Sequence, residues 1–332
     1  MNAVSKEREV TMGRPYRTME PSGEPTALEL RHVAKGFDDF AVRDVCLSVP
    51  CGSVVGLVGR NGAGKTTLMR LALGTARPDR GSVVLFGQDV TAAGQEAHAR
   101  ARMRTATVAA VCPYPGYLTI GEVATVYTLS YPTFDCAAFE ALLDRMDIMH
   151  QPEGAHRPVS AGLRVGDLSR GQGMKLQLAA CLATGADLLV LDEPTAGLDP
   201  IVRDELLQML REHMAAHQDC SVLVSSHITG DLERLADYIV IVDEGQVVLS
   251  AEKDELTDVM GVARLLPAQL ERVLDEGIVP RGELRVREDG LAGASEVLVP
   301  DRAAFVRAYP DMVCDRAAIE DVMRLVVLGR SL

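Results

Sequence analysis

Two glycine-containing segments of this 332-residue chain have the residue types that bind phosphate. The first is GRNGAGKT, residues 59–66, which follows the β-rich run SVVGLVG and precedes the helical run KTTLMRLAL. The second is LSRGQ, residues 168–172, which begins another helical run much later in the chain. Glycine lets backbone N–H groups turn toward an anion, and the N-terminus of a helix adds its positive end. Both segments therefore predict contact with phosphate groups.

The first segment has the pattern GxxxxGK[ST] in the order strand, loop, helix that a phosphate-binding loop (P-loop) needs. Lys65 is predicted to reach the β- and γ-phosphates of a nucleotide, and the Thr66 hydroxyl to bind Mg²⁺. A compact ammonium fits such a loop where a planar guanidinium does not. The predicted nucleotide-binding residues of this segment are Gly59, Arg60, Asn61, Gly62, Ala63, Gly64, Lys65, Thr66 and Thr67.

Acidic and basic side chains stand at the ends of two further apolar runs. Asp192 and Glu193 close LLVLDE, at the carboxyl end of a predicted strand, where ligands bind in open parallel sheets. Asp192 is predicted to hold Mg²⁺, and Glu193 to polarise the attacking water as a general base. His227 ends the run SVLVSSH in the same way and is a third candidate for catalysis. Taken alone, each residue has a structural alternative: a solvated carboxylate, or a histidine that only packs.

The elements that must position these residues alternate between strands and helices. The predicted strands are ALELRHV, SVVGLVG, SVVLFG, DLLVLD, SVLVSS and YIVIVDEG, and the predicted helices are KTTLMRLAL, QGMKLQLAACLA and VRDELLQMLREHMAAH. LLVLD and SVLVSS are apolar throughout, which predicts strands covered on both faces, as in a parallel sheet flanked by helices. From about residue 91 to residue 175 the pattern is mostly helical, with breaks at CPYPG and HQPEGAHRP. That stretch predicts a helical insertion in an α/β core.

The two ends of the chain differ from this pattern. Residues 1–26 are polar, charged and interrupted by Pro and Gly, which predicts a disordered tail. Residues 257–332 follow the last predicted core strand, with ELRVR and EVLVP as short strands and RAAFVRAY and AAIEDVMRLVV as helices. We therefore expect a nucleotide-binding domain over residues 27–256 and a small α+β accessory segment after it.

The composition limits the partners. A net charge of −13 and a pI of about 5.0 argue against a nucleic-acid partner. Seven cysteines without a CxxC pair predict reduced thiols in a cytoplasmic compartment rather than a zinc site. No apolar run is long enough to span a bilayer, so a role at a membrane needs a separate membrane subunit.

With these motifs in one order, the chain from about Ala27 to Ser250 resembles the ATP-binding subunits of ABC transporters. GRNGAGKT resembles their Walker A motif, LLVLDE their Walker B motif, and LSRGQ their signature motif with Arg170 in place of a glycine. AGLDP, which contains Asp199, is similar to their D-loop, and SSH to their switch-histidine motif. Phe37 lies at the position of their adenine-stacking aromatic residue.

The resemblance implies an α/β P-loop NTPase core with an antiparallel β subdomain and a helical subdomain. It also implies that ATP and Mg²⁺ bind and that Glu193 and His227 act in hydrolysis. Ser169, Gly171 and Gln172 would then contact the ATP held by a second subunit. From the residues themselves, Ser169 and Gln172 have the capping pattern S-x-x-Q. A capped helix without a ligand would explain that pattern, but not the Gly171 within it.

One departure from the family concerns a glutamine that contacts Mg²⁺ and the membrane subunit. Members place it in the loop after the strand that here reads ATVAAV. This chain has Pro113 near that place, and no glutamine lies between Gln95 and Gln151. Because Thr66 and Asp192 remain for the metal, ATP binding is expected to persist. The missing glutamine puts in question the rate of ATP hydrolysis and its coupling to the membrane subunit.

The run LSYPTFDCAAFEALL and the final helix resemble a bacterial subgroup of exporter ATPases whose permeases are separate chains. We therefore expect a motor on the cytoplasmic face of the membrane, with a transmembrane permease and a second identical or different ATPase subunit as partners. One alternative is a soluble ABC ATPase of DNA repair, translation or metallocluster assembly. The short spacing from P-loop to signature argues against the repair type, and the single P-loop against a two-cassette translation factor. The other alternative is a nucleotide-dependent regulator that hydrolyses ATP poorly.

Replacing Lys65 by alanine is expected to abolish nucleotide binding, because its ammonium is the group predicted to hold the β- and γ-phosphates. Titration of a fluorescent ATP analogue against wild-type and Lys65→Ala protein measures the effect. Equal affinity for the two proteins would contradict the assignment of GRNGAGKT as a P-loop.

Overall fold

The computed structural model describes residues 25–92, 95–148, 162–288 and 293–331. Almost all of the predicted N-terminal tail lies outside these ranges, as does the predicted break HQPEGAHRP.

A six-stranded sheet forms the centre of the described chain. Its strands are β3 (Val54–Val58), β6 (Thr105–Val108), β7 (Leu188–Asp192), β8 (Ser221–Ser225), β9 (Tyr238–Asp243) and β10 (Gln246–Glu252). Their order is β10-β9-β3-β8-β7-β6, and all neighbours pair in parallel except β10 with β9. β8 is buried along its whole length, and β7 is buried at every residue but Asp192. This confirms the prediction of apolar strands covered on both faces.

A second, antiparallel sheet lies beside the first. Its strands are β1 (Thr26–Gly36), β2 (Ala41–Pro50), β4 (Arg80–Leu85) and β5 (Gln88–Asp89), in the order β2-β1-β4-β5. The helix after β3, α1 (Lys65–Ala72), shares a hydrophobic core with this sheet through Leu68 and Met69. β2 was not predicted, because its register against β1 shifts near Asp44, whose φ of 48° is left-handed, and the shift breaks the alternation of apolar residues.

Helices pack on the central sheet and on one another. They are α2 (Gln95–Met103), α3 (Ile120–Ser130), α4 (Cys136–Arg145), α5 (Arg170–Leu182), α6 (Pro200–Ala216) and α7 (Thr229–Leu235). The stretch predicted as a helical insertion contains α2, α3 and α4, and also β6, which joins the central sheet beside β7. Throughout the ranges that the structure describes, no helix has both the length and the apolar character needed to cross a bilayer.

The C-terminal segment forms a third sheet. Its strands are β11 (Gly261–Leu265), β12 (Arg285–Glu288), β13 (Ser295–Val299), β14 (Cys314–Arg316) and β15 (Arg330–Ser331), and its helices are α8 (Pro267–Glu276), α9 (Arg302–Ala308) and α10 (Ile319–Leu328). The strand order is β14-β11-β13-β12-β15, with every pair antiparallel. The predicted strands ELRVR and EVLVP are confirmed as β12 and β13.

Helix α10 packs on two sides. It contacts β12 and β13 of the C-terminal sheet, and also α7 and β10 beside the central sheet. Ile319, Val322 and Leu325 are fully buried and belong to the same hydrophobic cluster as the central strands. The backbone N–H of Ile319 donates to Glu233 Oε1 in α7 at 3.0 Å. The C-terminal segment therefore shares a core with the rest of the described chain.

Replacing Leu325 by alanine is expected to lower the free energy of unfolding by about 2–4 kcal/mol, because it leaves a cavity in that shared core. Leu328 on the same helix is 51% exposed, so Leu328→Ala is the matched control. The control is expected to change the free energy by less than about 0.5 kcal/mol. Urea unfolding of both variants gives the comparison, and equal midpoints would contradict the packing of α10.

Candidate nucleotide-binding and hydrolysis site

Residues 59–64 of the P-loop connect β3 to α1 with a backbone that needs glycine. Gly62 and Gly64 have φ angles of 82° and 113°, which a side chain would strain. A Cβ on Gly59 would lie 2.2 Å from the carbonyl oxygen of Val242, so the loop passes directly against β9. The glycines of the motif therefore satisfy the fold and also leave backbone N–H groups free to face phosphate.

Lys65 at the start of α1 is almost buried, with 7% of its side chain exposed. Its ammonium donates to the carbonyl oxygens of Gly59 at 2.8 Å and Arg60 at 3.3 Å. Glu193 Oε1 lies 3.7 Å from the same nitrogen. The charge is thus held inside the loop, where a phosphate can take the place of these carbonyl partners.

Thr66 and Asp192, each of which was predicted to bind Mg²⁺, are in contact. Thr66 Oγ1 donates to Asp192 Oδ2 at 2.9 Å, and Ser225 Oγ donates to Asp192 Oδ1 at 2.7 Å. A hydroxyl and a carboxylate are oxygen ligands of the kind that Mg²⁺ prefers, so this pair fits the ion. Within the described ranges, no three His, Cys, Asp or Glu side chains group closely enough to hold a metal by themselves.

Glu193 and His227 are also in contact. Glu193 has a left-handed φ of 51°, and its backbone N–H donates to Ser225 Oγ at 2.9 Å. Its Oε2 hydrogen-bonds the imidazole Nδ1 of His227 and accepts from the His227 backbone N–H at 3.3 Å. The carboxylate is mostly buried while the imidazole is half exposed. A carboxylate oriented by an imidazole beside a lysine can accept a proton from a water at the P-loop.

The signature residues begin α5. Ser169 Oγ accepts from the Gln172 backbone N–H at 3.2 Å, and Gln172 Oε1 accepts from the Ser169 N–H at 2.9 Å, which is the predicted capping box. A Cβ on Gly171 would meet only Leu198 Cδ2, at 3.8 Å. Packing within this chain therefore has room for a side chain at Gly171. α5 packs against α4, α6 and β6, whereas the P-loop helix α1 packs against β1 and β7.

Two further predicted site residues are Asp199 and Phe37. Asp199 caps α6, with Oδ1 accepting from the N–H groups of Ile201 and Val202, both at 3.1 Å. Phe37 is 50% exposed, and its ring centroid is 6.3 Å from that of Phe40. The Phe40 ring is the one that lies against the P-loop, 2.8 Å from a Cβ placed on Gly64. Sequence analysis missed Phe40, although the spacing FDDF offered both rings.

The loop after β6 has no side chain that replaces the missing glutamine. Residues 109–113 are Ala, Ala, Val, Cys and Pro. The N–H of Ala109 donates to Oε1 of Gln177, a residue of α5 that is 1% exposed. Further along, the hydroxyls of Tyr114 and Tyr127 hydrogen-bond at 2.9 Å, and burial raises the pKa of Tyr127 to about 12. Residues 109–113 thus offer no side-chain oxygen that could replace the glutamine.

Ser225 is a further site residue that sequence analysis missed. It is fully buried and joins Asp192 to the backbone of Glu193. The parallel register pairs it with Leu57 of β3 and with Asp192 of β7. The two serines of SSH were visible in the sequence. The sequence does not show which strand lies beside β8, and that strand determines which residues Ser225 contacts.

The known proteins to which this chain is similar are ATP-binding proteins of ABC transporters. A family model described as ABC transporter matches residues 42–196. Nod factor export ATP-binding protein I of Burkholderia orbicola is 33% identical over 222 residues, which are 67% of this chain and 69% of that protein. The ABC transporter ATP-binding protein YtrB of Bacillus subtilis is 28% identical over 232 residues, 70% of this chain and 74% of that protein.

Solved structures agree with the sequence relatives. An ATP-binding subunit of an ABC transporter is 26% identical with a TM-score of 0.59, and the match covers 70% of this chain and 92% of that one. A dimeric ATP-binding cassette in a post-hydrolysis state with ADP and Pi is 19% identical with a TM-score of 0.58, covering 68% and 98%. The α/β fold class predicted from the sequence is confirmed.

Replacing Ser225 by alanine is expected to slow nucleotide hydrolysis about tenfold, since a buried group that loses its partner costs roughly 1–3 kcal/mol. The variant removes one partner each from Asp192 and Glu193. Ser221→Ala is the control, because Ser221 lies at the other end of β8 and bonds the Gly52 N–H at 3.0 Å. Phosphate release measures both, and equal rates would contradict a role for Ser225 in the site.

Proposed function

The chain belongs to the ATP-binding proteins of ABC transporters, and from that premise we propose that it powers a membrane exporter by closing on ATP against a second cassette. It is an ATPase, the ATP-binding subunit of a transporter. The observation that carries the proposal is the convergence of Lys65, Thr66, Asp192, Glu193 and His227 at one edge of the central sheet.

The residues have complementary chemical roles. Lys65 and the first N–H groups of α1 would hold the phosphates and stabilise the charge that develops on them. Glu193 would take a proton from the water that attacks the γ-phosphorus, as the bond to the bridging oxygen breaks. His227, through its contact with the Glu193 carboxylate, would hold that base in place. Phe37 and Phe40 together offer aromatic surface to the adenine beside the loop.

Thr66 and Asp192 would hold Mg²⁺, because their oxygen atoms already point at each other across 2.9 Å. The ion, when bound, supplies positive charge that offsets the β- and γ-phosphates. Because no side chain in residues 109–113 carries an oxygen, Thr66 and Asp192 are the side chains that would hold the ion.

A second cassette would complete the site with its signature residues. Ser169 and Gln172 form a capped helix start, which offers backbone N–H groups and a positive dipole to an anion. Gly171 has open space around it, so the glycine suits the approach of a group from outside this chain. The α5 and α1 helices pack on different elements. This supports two phosphate-binding segments, the P-loop and LSRGQ, that contact two different nucleotides. The dimeric cassette with ADP and Pi is a precedent for the arrangement.

A transmembrane permease would be the other partner. Five large apolar side chains in the described part of residues 91–175 are exposed, and the most exposed are Val111 at 78%, Tyr117 at 74% and Leu129 at 82%. Exposed apolar surface of this kind marks protein contacts. The Burkholderia relative is named an export protein, which supports export over the soluble alternatives. The protein would then work at the cytoplasmic face of the membrane.

A slow, regulatory ATPase is the second candidate function. It is favoured by the loop after β6, which has no glutamine at residues 109–113. Turnover measured with and without a candidate permease separates the two. A rate that rises when the permease is added supports the motor, and a slow rate that ignores it supports the regulator.

Replacing Glu193 by glutamine is expected to slow hydrolysis by roughly 10²–10⁴-fold, the contribution of a positioned general base. Nucleotide binding is expected to persist, because Lys65, Thr66 and Asp192 remain. A dimer with trapped ATP would then accumulate, measurable by size-exclusion chromatography with light scattering.

Ser169→Arg in the same background is the control for that dimer. A bulky cation at the start of α5 opposes the helix dipole and blocks the γ-phosphate, so the dimer is expected to disappear. If Glu193→Gln stays monomeric with ATP both alone and with the candidate permease, the sandwich arrangement is wrong.

A further inference from the structure

Asp231 is a buried carboxylate outside the residues assigned to the nucleotide. It lies in the first turn of α7 and is 2% exposed. Thr195 Oγ1 donates to its Oδ2 at 2.6 Å, and Arg203 Nε donates to its Oδ1 at 2.5 Å. Each carboxylate oxygen therefore has its own partner, and the charge is balanced by an arginine that is only partly exposed.

The partners of Asp231 come from the two segments that carry the reacting groups. Thr195 follows Glu193 by two positions and is itself 2% exposed. Asp231 follows His227 by four positions, at the start of α7. Arg203 belongs to the first turn of α6, the helix that the D-loop aspartate caps. Asp231 lies in the segment that follows the switch histidine. Its carboxylate contacts Thr195, which follows the Walker B strand, and Arg203, which follows the D-loop.

Together these contacts close a ring between two chain segments. At one end Glu193 hydrogen-bonds His227, and at the other end Thr195 hydrogen-bonds Asp231. Only Pro194 separates Glu193 from Thr195, and a proline restricts the backbone on both sides. A displacement at the Thr195–Asp231 end is therefore transmitted to the Glu193–His227 end over a very short span.

We infer that Asp231 is a positioning residue for ATP hydrolysis. Through Thr195 it fixes the backbone that carries Glu193, and through α7 it keeps His227 in register with that carboxylate. Its ion pair with Arg203 ties both to the D-loop helix. The inference rests on the proposed function, because it assigns Asp231 to the same reaction. Small misplacement of a general base costs rate without weakening substrate binding, which gives the role a distinctive kinetic effect.

The closing experiment compares four variants with the wild-type full chain. Asp231→Ala removes the carboxylate, whereas Thr195→Val removes only the hydroxyl link and keeps the Asp231–Arg203 ion pair. Thr195→Ser is the conservative rescue, because it restores the hydroxyl. Asp204→Asn is the matched control: Asp204 and Arg234 form an exposed ion pair at 2.5 Å between the same two helices, α6 and α7, without touching the Walker B segment. Phosphate release gives kcat and KM, a fluorescent ATP analogue gives affinity, and thermal unfolding gives Tm.

Asp231→Ala and Thr195→Val are expected to lower kcat at least about fivefold, with KM and nucleotide affinity within about twofold of wild type. Thr195→Ser and Asp204→Asn are expected to keep kcat within about twofold of wild type. If Asp231→Ala does not fold, Thr195→Val decides the question, because it leaves the buried charge paired.

A folded Thr195→Val protein with wild-type kcat would overturn the inference while leaving the proposed function intact. Equal losses in Thr195→Val and Thr195→Ser would also overturn it, since the hydroxyl would then not matter. A wild-type protein that binds but never hydrolyses ATP would overturn the proposed function, and the inference with it.

Discussion

The register of three parallel strands places the reactive side chains of this protein. Ser225, at the end of β8, is level with Leu57 of β3 on one side and with Asp192 of β7 on the other. The residues that follow each strand therefore leave the sheet at one edge: the P-loop after β3, Glu193 after β7 and His227 after β8. A slip of one residue in this pairing would turn Asp192 to the opposite face and separate it from the start of α1. The burial of these strands on both faces is what resists that slip.

Around this edge of the sheet, close contacts hold a backbone conformation that is unfavourable in itself. Glu193 keeps a left-handed φ of 51°, which for a non-glycine residue costs on the order of 1–3 kcal/mol. Its backbone N–H donates to Ser225 and its carboxylate hydrogen-bonds His227, and these contacts hold that conformation. The P-loop is held from the other side by Gly245, whose N–H donates to Ala63 at 2.9 Å and whose Cα lies so near Ala41 that a Cβ would overlap its carbonyl oxygen. The residues with strained backbone conformations are thus the ones held by hydrogen bonds and close backbone contacts.

Sequence reasoning succeeded where the information is contiguous. The P-loop, the capped start of α5 and the fully apolar strands each depend on neighbouring residues, so their pattern survives without knowledge of the fold. It failed where a contact joins distant segments. Ser225 and Asp231 are recognised only once β8 and α7 are known to lie beside the Walker B strand. β2 was missed because its bulge disrupts the period of two, and β14 and β15 because strands of three and two residues carry almost no pattern.

Helix α7 connects the site to the part of the chain that sequence motifs describe least. It has seven residues and is held on three sides. Leu232 packs so tightly under β3 that a Cβ on Gly56 would lie 3.0 Å from it, Asp231 bonds the Walker B and D-loop segments, and Glu233 accepts from Ile319 of α10. A helix this short cannot tilt without changing at least one of these contacts. The C-terminal sheet, which packs on α10, is therefore part of the framework that holds α7, although none of its residues has been assigned to the nucleotide. The position of His227 therefore depends on packing against β3 and against the C-terminal helix α10.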